Sequence, residues 1–378
     1  MTDKIIFLRS QLPKTDSRLQ RYLQAVELLA GESIIVGWDR SNSTRPGLNE
    51  FLYKRKTRIG GGWANLMSLL CWNYFIVCKL WQLRKKYHTI HAIDLDTAIP
   101  ALIFANILHK RLIFDIYDKY TDSRHFPAVL RFFADKIERT CANRASSLIL
   151  ADECRREQLE LPHRESIVIL ENIPAPIQVQ PMHIHKPGNI KITLAYVGIL
   201  EPQHRGLEDL LRVVANRDSV QLLIAGDGGL RKFIEEYASK YEHIRYFGPV
   251  GREKAMGILA SCDIQVGLYY KTIRNHYFAA PNKYYEHLMM GKPLVTTVGT
   301  PPGVKVQLFN TGYALNEGQL PLSSWLNTIN PNEIKLKGSN ALNLWQSNYS
   351  DYFNTTFLLN YKKCLGYDID KISINQKK

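Results

Sequence analysis

Paired cysteines are missing from this chain. The six present, Cys71, Cys78, Cys141, Cys154, Cys262 and Cys364, make no CxxC pair and no metal-ligand spacing. Neither a disulfide framework nor a structural zinc site is therefore expected, and reduced cytosolic thiols are the simple reading. No window reaches the ~18 uninterrupted apolar residues of a spanning helix. The opening MTDKIIFLRS lacks the apolar run of a signal peptide. A cytoplasmic protein, soluble or peripheral at the inner face of the plasma membrane, is expected. No sequence period of about 20–50 residues recurs, so repeat architectures are not indicated. Acidic residues are scarce: 49 Lys and Arg stand against 35 Asp and Glu, a formal charge of +14. That surplus suits an anionic partner. No helix-turn-helix, zinc-finger or aromatic RNA-binding signature accompanies it, so nucleic acid is not the expected partner.

What is present is alternation. Short β-branched runs alternate with helical patterns: strands are expected at Ile5 to Leu8, Ser33 to Gly37, Thr89 to Ile93, Leu112 to Ile116, Ser147 to Ala151 and Ile167 to Leu170. Asp16 or Ser17 caps a first helix, and others cover Ala98 to Leu108 and Ala128 to Arg144. Between Asn172 and Asn189 four prolines break the pattern, which reads as an interdomain linker. His183 and His185 lie there with no other ligand type near in sequence. The alternation then restarts, with strands at Lys191 to Val197, Val220 to Ala225, His243 to Phe247, Asp263 to Leu268 and Pro293 to Thr297. The helices between them are expected at Leu207 to Asn216, Leu230 to Lys240, Glu253 to Ala260 and Asn282 to Met290. Two parallel α/β sheets follow. At 378 residues the chain is long enough for a core in each.

Between Ser41 and Ile90 nine basic residues stand against one acid, Glu50, so more than half the net charge sits in this segment. Arg45, Lys54, Arg55, Lys56 and Arg58 precede WANLMSLLCWNYFIVCKLWQL; Lys79, Arg84, Lys85 and Lys86 lie in or after it. Tryptophan flanked by Lys and Arg is the composition of a helix lying in a membrane interface. The competing reading is a buried helix beside a solvated basic loop.

Three short stretches carry chemistry. In APNKYYEHLMMGKPLVTT (Ala280 to Thr297) a proline starts a helix that Gly291 and Pro293 end. Its free N–H groups suit a phosphate, with Asn282 and Lys283 beside them and Glu286 one turn further in. In YVGILEPQHRGLEDLL a strand ends in Gly198 and a loop brings Arg205 to the next helix as a fixed cation for a diphosphate. LLIAGDGGL places Gly226 in a strand–turn–helix where backbone can approach a ligand closely.

In this order and spacing the three stretches resemble the donor domain of glycosyltransferase family 4, over about Tyr196 to Thr297. TDSRLQRYLQAVELL and HAIDLDTAIPALIFANILHKRLIFDIYDKYTD resemble the first half of one branch of that family. The resemblance implies an α/β fold of two doubly wound Rossmann-like domains facing a cleft (GT-B). Residues 1–172 would form the acceptor-side domain with the basic amphipathic segment 45–86, residues 173–189 the linker and residues 190–345 the donor domain. Residues 346–378 would hold a helix, from about Trp345 to Tyr361, packing back on the first domain, and a tail frayed after Asp370. It implies a retaining transferase that moves a hexose-type sugar from a UDP- or GDP-sugar to a lipid-linked or polysaccharide acceptor. Glu286 would hold the donor ribose. Arg205 would hold the diphosphate, helped by Lys283 and Asn282, and Gly248 to Val250 would line the base pocket. Asp94, Arg205 and Lys283 are the expected catalytic groups, and Asp16, Arg18 and Asp96 are expected on the acceptor side. The chain departs from the family pattern at Ile199, where many members have arginine, and at Arg205, where many have lysine. It departs again at Phe278, where the earlier of two glutamates would fall, and at Ile93, where many have histidine.

Asp94-Leu95-Asp96 also spells a DxD, which binds a divalent metal in another glycosyltransferase fold. It lies away from the donor signature, and neither a metal nor another cofactor is expected. The rival readings are a catalytically silent nucleotide-binding or membrane-docking protein of the same fold, and a sugar-nucleotide epimerase.

Overall fold

The computed structural model describes residues 4–57, 62–122, 127–177 and 179–367. In chain order its elements begin with β1 (Lys4–Arg9), α1 (Ser17–Leu28), β2 (Glu32–Asp39), β3 (Glu50–Lys54), α2 (Gly62–Gln82), β4 (Thr89–Ile93) and α3 (Leu95–Ile107). They continue with β5 (Arg111–Ile116), α4 (Ala128–Arg144), β6 (Ser147–Leu150), α5 (Cys154–Gln158) and β7 (Ile167–Ile169). After residue 190 come β8 (Ile192–Val197), α6 (Leu207–Ala215), β9 (Val220–Ala225), α7 (Arg231–Lys240), β10 (Ile244–Tyr246), α8 (Arg252–Ala260), β11 (Ile264–Gly267) and α9 (Arg274–Tyr277). The last are α10 (Asn282–Met290), β12 (Leu294–Thr297), α11 (Pro301–Leu308), β13 (Gly312–Leu315), α12 (Gln319–Thr328), α13 (Pro331–Asn348) and α14 (Leu358–Leu365). A π-helical segment, Phe353–Phe357, leads into α14. The chain divides into two compact units, split after Glu171 and again between Tyr352 and Phe353.

The first unit is a seven-stranded sheet in the order β3-β2-β1-β4-β5-β6-β7. Every pairing is parallel. Strands such as KIIFLR and RLIFDI are apolar on both sides because helices cover both faces. Right-handed crossovers place α2, α3 and α4 on one face, where α3 packs beside both of the others. The crossover from β1 to β2 runs the other way, so α1 covers the opposite face, with α14 packed against it. There Tyr361 donates to or accepts from His91 Nδ1 at 3.0 Å and packs on the Tyr22 ring at 4.8 Å. The strands at Thr89 to Ile93 and Leu112 to Ile116 fall where the alternation puts them, and α4 has the expected bounds. β3 was not expected: it is a short edge strand whose partner is β2 alone. Arg58, the Trp63 side chain and the tail after Asp370 lie outside the described residues.

The second unit is a six-stranded parallel sheet in the order β10-β9-β8-β11-β12-β13. Two features differ from the sequence reading. The stretch expected as a linker lies against this unit: Ile177, Val179, Met182 and Ile184 pack on a cluster formed by Leu223 and Ala225 of β9 with Met256, Ile258 and Leu259 of α8. Ser261 Oγ donates to Met182 O at 3.0 Å, and Gln221 donates to His185 O at 2.8 Å. Prolines broke the helical period there without removing the apolar residues. Nor does one helix run from Trp345 to Tyr361. Trp345 belongs to α13, which packs on α10 in the second unit, and only the segment from Phe353 onward joins the first.

Candidate functional site

In each sheet the strand order reverses once, between β1 and β4 in the first unit and between β8 and β11 in the second. Ligands of open parallel sheets bind beyond the carboxyl ends of strands at such reversals. Both reversals gather charged side chains here.

In the second unit Gly198 follows the last residue of β8 and Gly226 the last residue of β9. Gly198 N donates to Ala225 O at 3.0 Å, and Gly226 N to Gly248 O at 2.9 Å. Tyr246 Oη donates to Gly226 O at 2.8 Å. Three strand ends are thus tied backbone to backbone past the edge of the sheet. A Cβ on Gly226 would lie 1.8 Å from Gly198 O, and one on Gly228 would lie 2.5 Å from Leu200 O, so only glycine fits. Gly248 has open space on its Cβ side, and Val250 is half-buried against the α8 packing.

Above this floor stand the cations. Lys283, in the first turn of α10, donates to Val197 O, and its Nζ sits 4.2 Å from the centre of the Tyr196 ring. Burial lowers its pKa to about 8, Glu286 pulls the other way, and Arg205 adds to the lowering. Arg205 Nε donates to Glu201 Oε2 at 3.1 Å, and its guanidinium lies 4.9 Å from the centre of the Tyr269 ring. His276 Nε2 lies 3.8 Å from the same Glu201 carboxylate. Burial, with Arg205 second, lowers the His276 pKa to about 4, so this contact is between a neutral ring and the carboxylate. Glu286 is half-buried and makes no hydrogen bond among the described residues. Burial raises its pKa, while Lys283 and then Arg252 oppose the rise. No side chain caps α10, whose N-cap is Pro281, and Asn282 is exposed at its start. The structure therefore brings Gly198, Arg205, Gly226, Lys283 and Glu286 to one corner of this unit. Glu201, Tyr196, Tyr269 and His276 join them, and the sequence reading missed all four. Glu201 and His276 are charged or titratable groups near Arg205 and Phe278, but no local period marks them as its partners.

At the reversal in the first unit, Arg9 at the end of β1 pairs with Asp94 at the end of β4 and with Asp16 at 2.6 Å. Asp94 has a φ of +62° and also accepts from Tyr117 N at 3.0 Å. Burial raises its pKa to about 6, Arg9 opposes, and Asp96 and Asp118 add to the rise. It occupies the N-cap position of α3 but makes no capping bond, so a capping role does not explain it. Asp16 does cap its helix, accepting from Arg18 N and Leu19 N. Arg18, expected to face an acceptor, is instead buried: it makes two bonds to Asp115, at 3.1 and 3.0 Å, and one to Leu170 O at 2.7 Å. Asp96 is buried too and accepts from Ser10 Oγ at 2.8 Å. Of the acidic and basic groups expected on this side, Asp94 has the carboxylate that reaches the surface, at 18% exposure. The two acids of the DxD answer to different partners, and no three His, Cys, Asp or Glu side chains among the described residues group together as metal ligands. Arg9, Asp115 and Tyr117, the framework of this cluster, went unread in the sequence. A charged residue at or next to the end of an otherwise apolar strand, as in KIIFLR and RLIFDI, was the available signal.

Residues 191–319 match the protein family described as Glycosyl transferases group 1, so the second unit is a glycosyltransferase domain. No curated protein sequence matches the chain. Among solved structures, Anabaena Alr3699/HepE in complex with UDP is similar with a TM-score of 0.69 and 15% identity, over 95% of this chain and 100% of that one. Sucrose-phosphate synthase from Thermosynechococcus elongatus gives 0.72 and 12%, over 97% and 100%. The lipopolysaccharide outer core galactosyltransferase WaaB in its apo form gives 0.64 and 13%, over 96% and 99%. At such identities the likeness establishes the fold: two Rossmann-like parallel α/β domains of the GT-B type.

Proposed function

We propose that this chain is a retaining glycosyltransferase that moves a hexose-type sugar from a UDP- or GDP-sugar to a lipid-linked or polysaccharide acceptor at the cytoplasmic face of a membrane. One observation carries the reading: Glu286 holds an uncommitted, half-buried carboxylate within electrostatic reach of Lys283, beside Arg205, at the strand-order reversal of a glycosyltransferase domain. A carboxylate there accepts two ribose hydroxyls, and the cations meet a diphosphate. In the reaction the bond from the anomeric carbon to the diphosphate oxygen breaks, and a bond to the acceptor oxygen forms on the same face. The hydroxyl proton passes to the leaving phosphate or to Asp94, whose raised pKa suits a base near neutral pH. Negative charge grows on the leaving diphosphate, so Arg205 and Lys283 act more strongly in the transition state than before it. Gly248 and Val250 are assigned to the base and Asn282 to the phosphate. No metal is assigned a role, since the two cations can neutralise the diphosphate.

A thermal-shift series with UDP, GDP and their sugars tests this directly. One nucleotide family is expected to raise the melting temperature, by about 2.7 kcal/mol of stabilisation at a hundred times Kd. Glu286→Ala is expected to abolish that shift, and transfer is expected to persist in EDTA. Absence of any nucleotide effect would refute the donor site. Binding without transfer or hydrolysis would leave the silent nucleotide-binding protein, and a changed sugar without acceptor would identify an epimerase.

Lys283 adds a pH signature. It is cationic below its pKa of about 8 and loses its charge as pH rises through that value. Affinity for a nucleoside diphosphate is therefore expected to fall above pH of about 8 and to level off at the higher pKa that Lys283 takes beside a bound phosphate. Calorimetric titration of wild type against Lys283→Arg checks it. The arginine variant should hold its affinity to higher pH, and identical profiles would remove Lys283 from the phosphate.

A further inference from the structure

We propose that the outward faces of α2, α3 and α4 form one docking face for an anionic lipid bilayer, on which the first unit lies rather than spans. The proposal rests on the membrane clause of the function above, and the donor chemistry stands or falls separately.

The face is built from three helices that leave large apolar side chains on their outer sides. The inner side of α2 packs Trp72, Ile76 and Leu80 into the sheet core. Its outer side leaves Tyr74 at 72% and Trp81 at 54% exposure. On α3, Ile103 and Ile107 repeat the pattern one turn apart at 50% and 62%; on α4, Phe132 and Phe133 stand at 64% and 55%. α3 packs beside both other helices, so these side chains belong to one layer and form one surface. Single exposed apolar residues are ordinary, but a contiguous patch across three helices marks a binding surface.

The charge pattern chooses the occupant. Between Phe51 and Phe114, the stretch holding α2 and α3, the chain has ten Lys and Arg and only two acids, Asp94 and Asp96, and α4 adds four basic residues against Asp135 and the buried Glu138. Asp96 is buried and Asp94 is paired to Arg9. The three helices run parallel, so their carboxyl ends share one edge, and Lys85, Lys86, Lys110 and Arg144 line it. Favourable interaction with the helix dipoles accounts for the sign of those charges, but not for aromatic residues left in water beside them. Arg84 lies 4.5 Å from the centre of the Trp81 ring, a cation and an interfacial aromatic together. A second copy docked by the same face would bring two surfaces of net positive charge together. An anionic headgroup layer accepts both the ring faces and the cations. Spanning is ruled out for α2 by its buried inner side, and no helix among the described residues is long and apolar enough to cross a membrane.

The test is co-sedimentation of the full chain with phosphatidylglycerol–phosphatidylcholine vesicles and with phosphatidylcholine alone. Wild type is expected to bind the anionic vesicles and to release as salt rises. Ile103→Glu with Phe133→Glu is expected to weaken binding by at least about tenfold, and Lys85→Glu with Lys86→Glu by about thirtyfold. The second pair changes only exposed residues, so the test survives if the first pair unfolds; the melting curve of each variant identifies that case. Wild-type binding by all variants would overturn the proposal. So would a dimer in solution that Ile103→Glu with Phe133→Glu dissolves while no vesicle binding occurs, since the face would then serve a second copy.

Discussion

Arg205→Ala is expected to lower kcat by about two to three orders of magnitude, the loss of about 2.7–4 kcal/mol that follows removal of one fixed donor to a developing charge. The structure holds Arg205 in place. Glu201 accepts from its Nε at 3.1 Å, and the Tyr269 ring lies 4.9 Å from the guanidinium. Burial works against its charge, but Tyr269, Tyr196 and Glu201 outweigh it, and the pKa stays above the ordinary arginine value. The group is thus cationic throughout any accessible pH and, in the proposed reaction, would need no reorganisation as the diphosphate leaves. KM for the donor should change far less than kcat, because the charge it meets grows mainly in the transition state. Arg205→Lys should recover part of the rate only, since an ammonium neither stacks on Tyr269 nor keeps the Nε bond. Steady-state kinetics on the three proteins decide the matter. A donor KM raised with kcat intact would make Arg205 a ground-state binder instead.

The sequence revealed the sheets more readily than it revealed the partnerships. β4 and β9 fall on Thr89–Ile93 and Val220–Ala225 as their β-branched runs require. β3 hid because Glu50–Lys54 is short, basic at its end and paired on one side only. The corner holding Lys283 and Glu286 was legible because proline, Gly291 and the glycine turns are local signals. Glu201 and Tyr269 were not, because what matters is which loops meet, and no period encodes that. The Arg18–Asp115 pair is 97 residues apart in sequence. The resemblance put Arg18 on the acceptor side, and tertiary packing instead commits it to a buried ion pair. α3 shows the same limit in reverse. Its residues are apolar nearly all round, which reads as a buried helix, and only the packed structure shows that Ile103 and Ile107 have no cover.

The other large effect is expected at Gly226, from a single methyl group. With alanine there the added carbon would sit 1.8 Å from Gly198 O and 2.9 Å from Gly198 C, atoms of backbone that cannot swing aside. The φ of +139° is itself strained for any other residue. Relief requires the turn to move, and the turn makes bonds to Gly248 O and Tyr246 Oη, while Ala225 O holds Gly198 N. Overpacking with backbone strain costs about 3 kcal/mol or more, which lowers the melting temperature of a unit this size by roughly 6–12 °C. Gly251→Ala is the control. Its Cβ would meet nothing within 4 Å and its φ is −69°, so a change within about 1 kcal/mol is expected. The Gly226 variant should also lose its nucleotide response at temperatures where it is still folded, because the strand ends bearing Gly198, Gly226 and Gly248 are one hydrogen-bonded floor. If the two variants melt alike and both respond to nucleotide, the floor is not packed backbone on backbone, and Lys283 loses the Val197 and Gly198 surface that positions it.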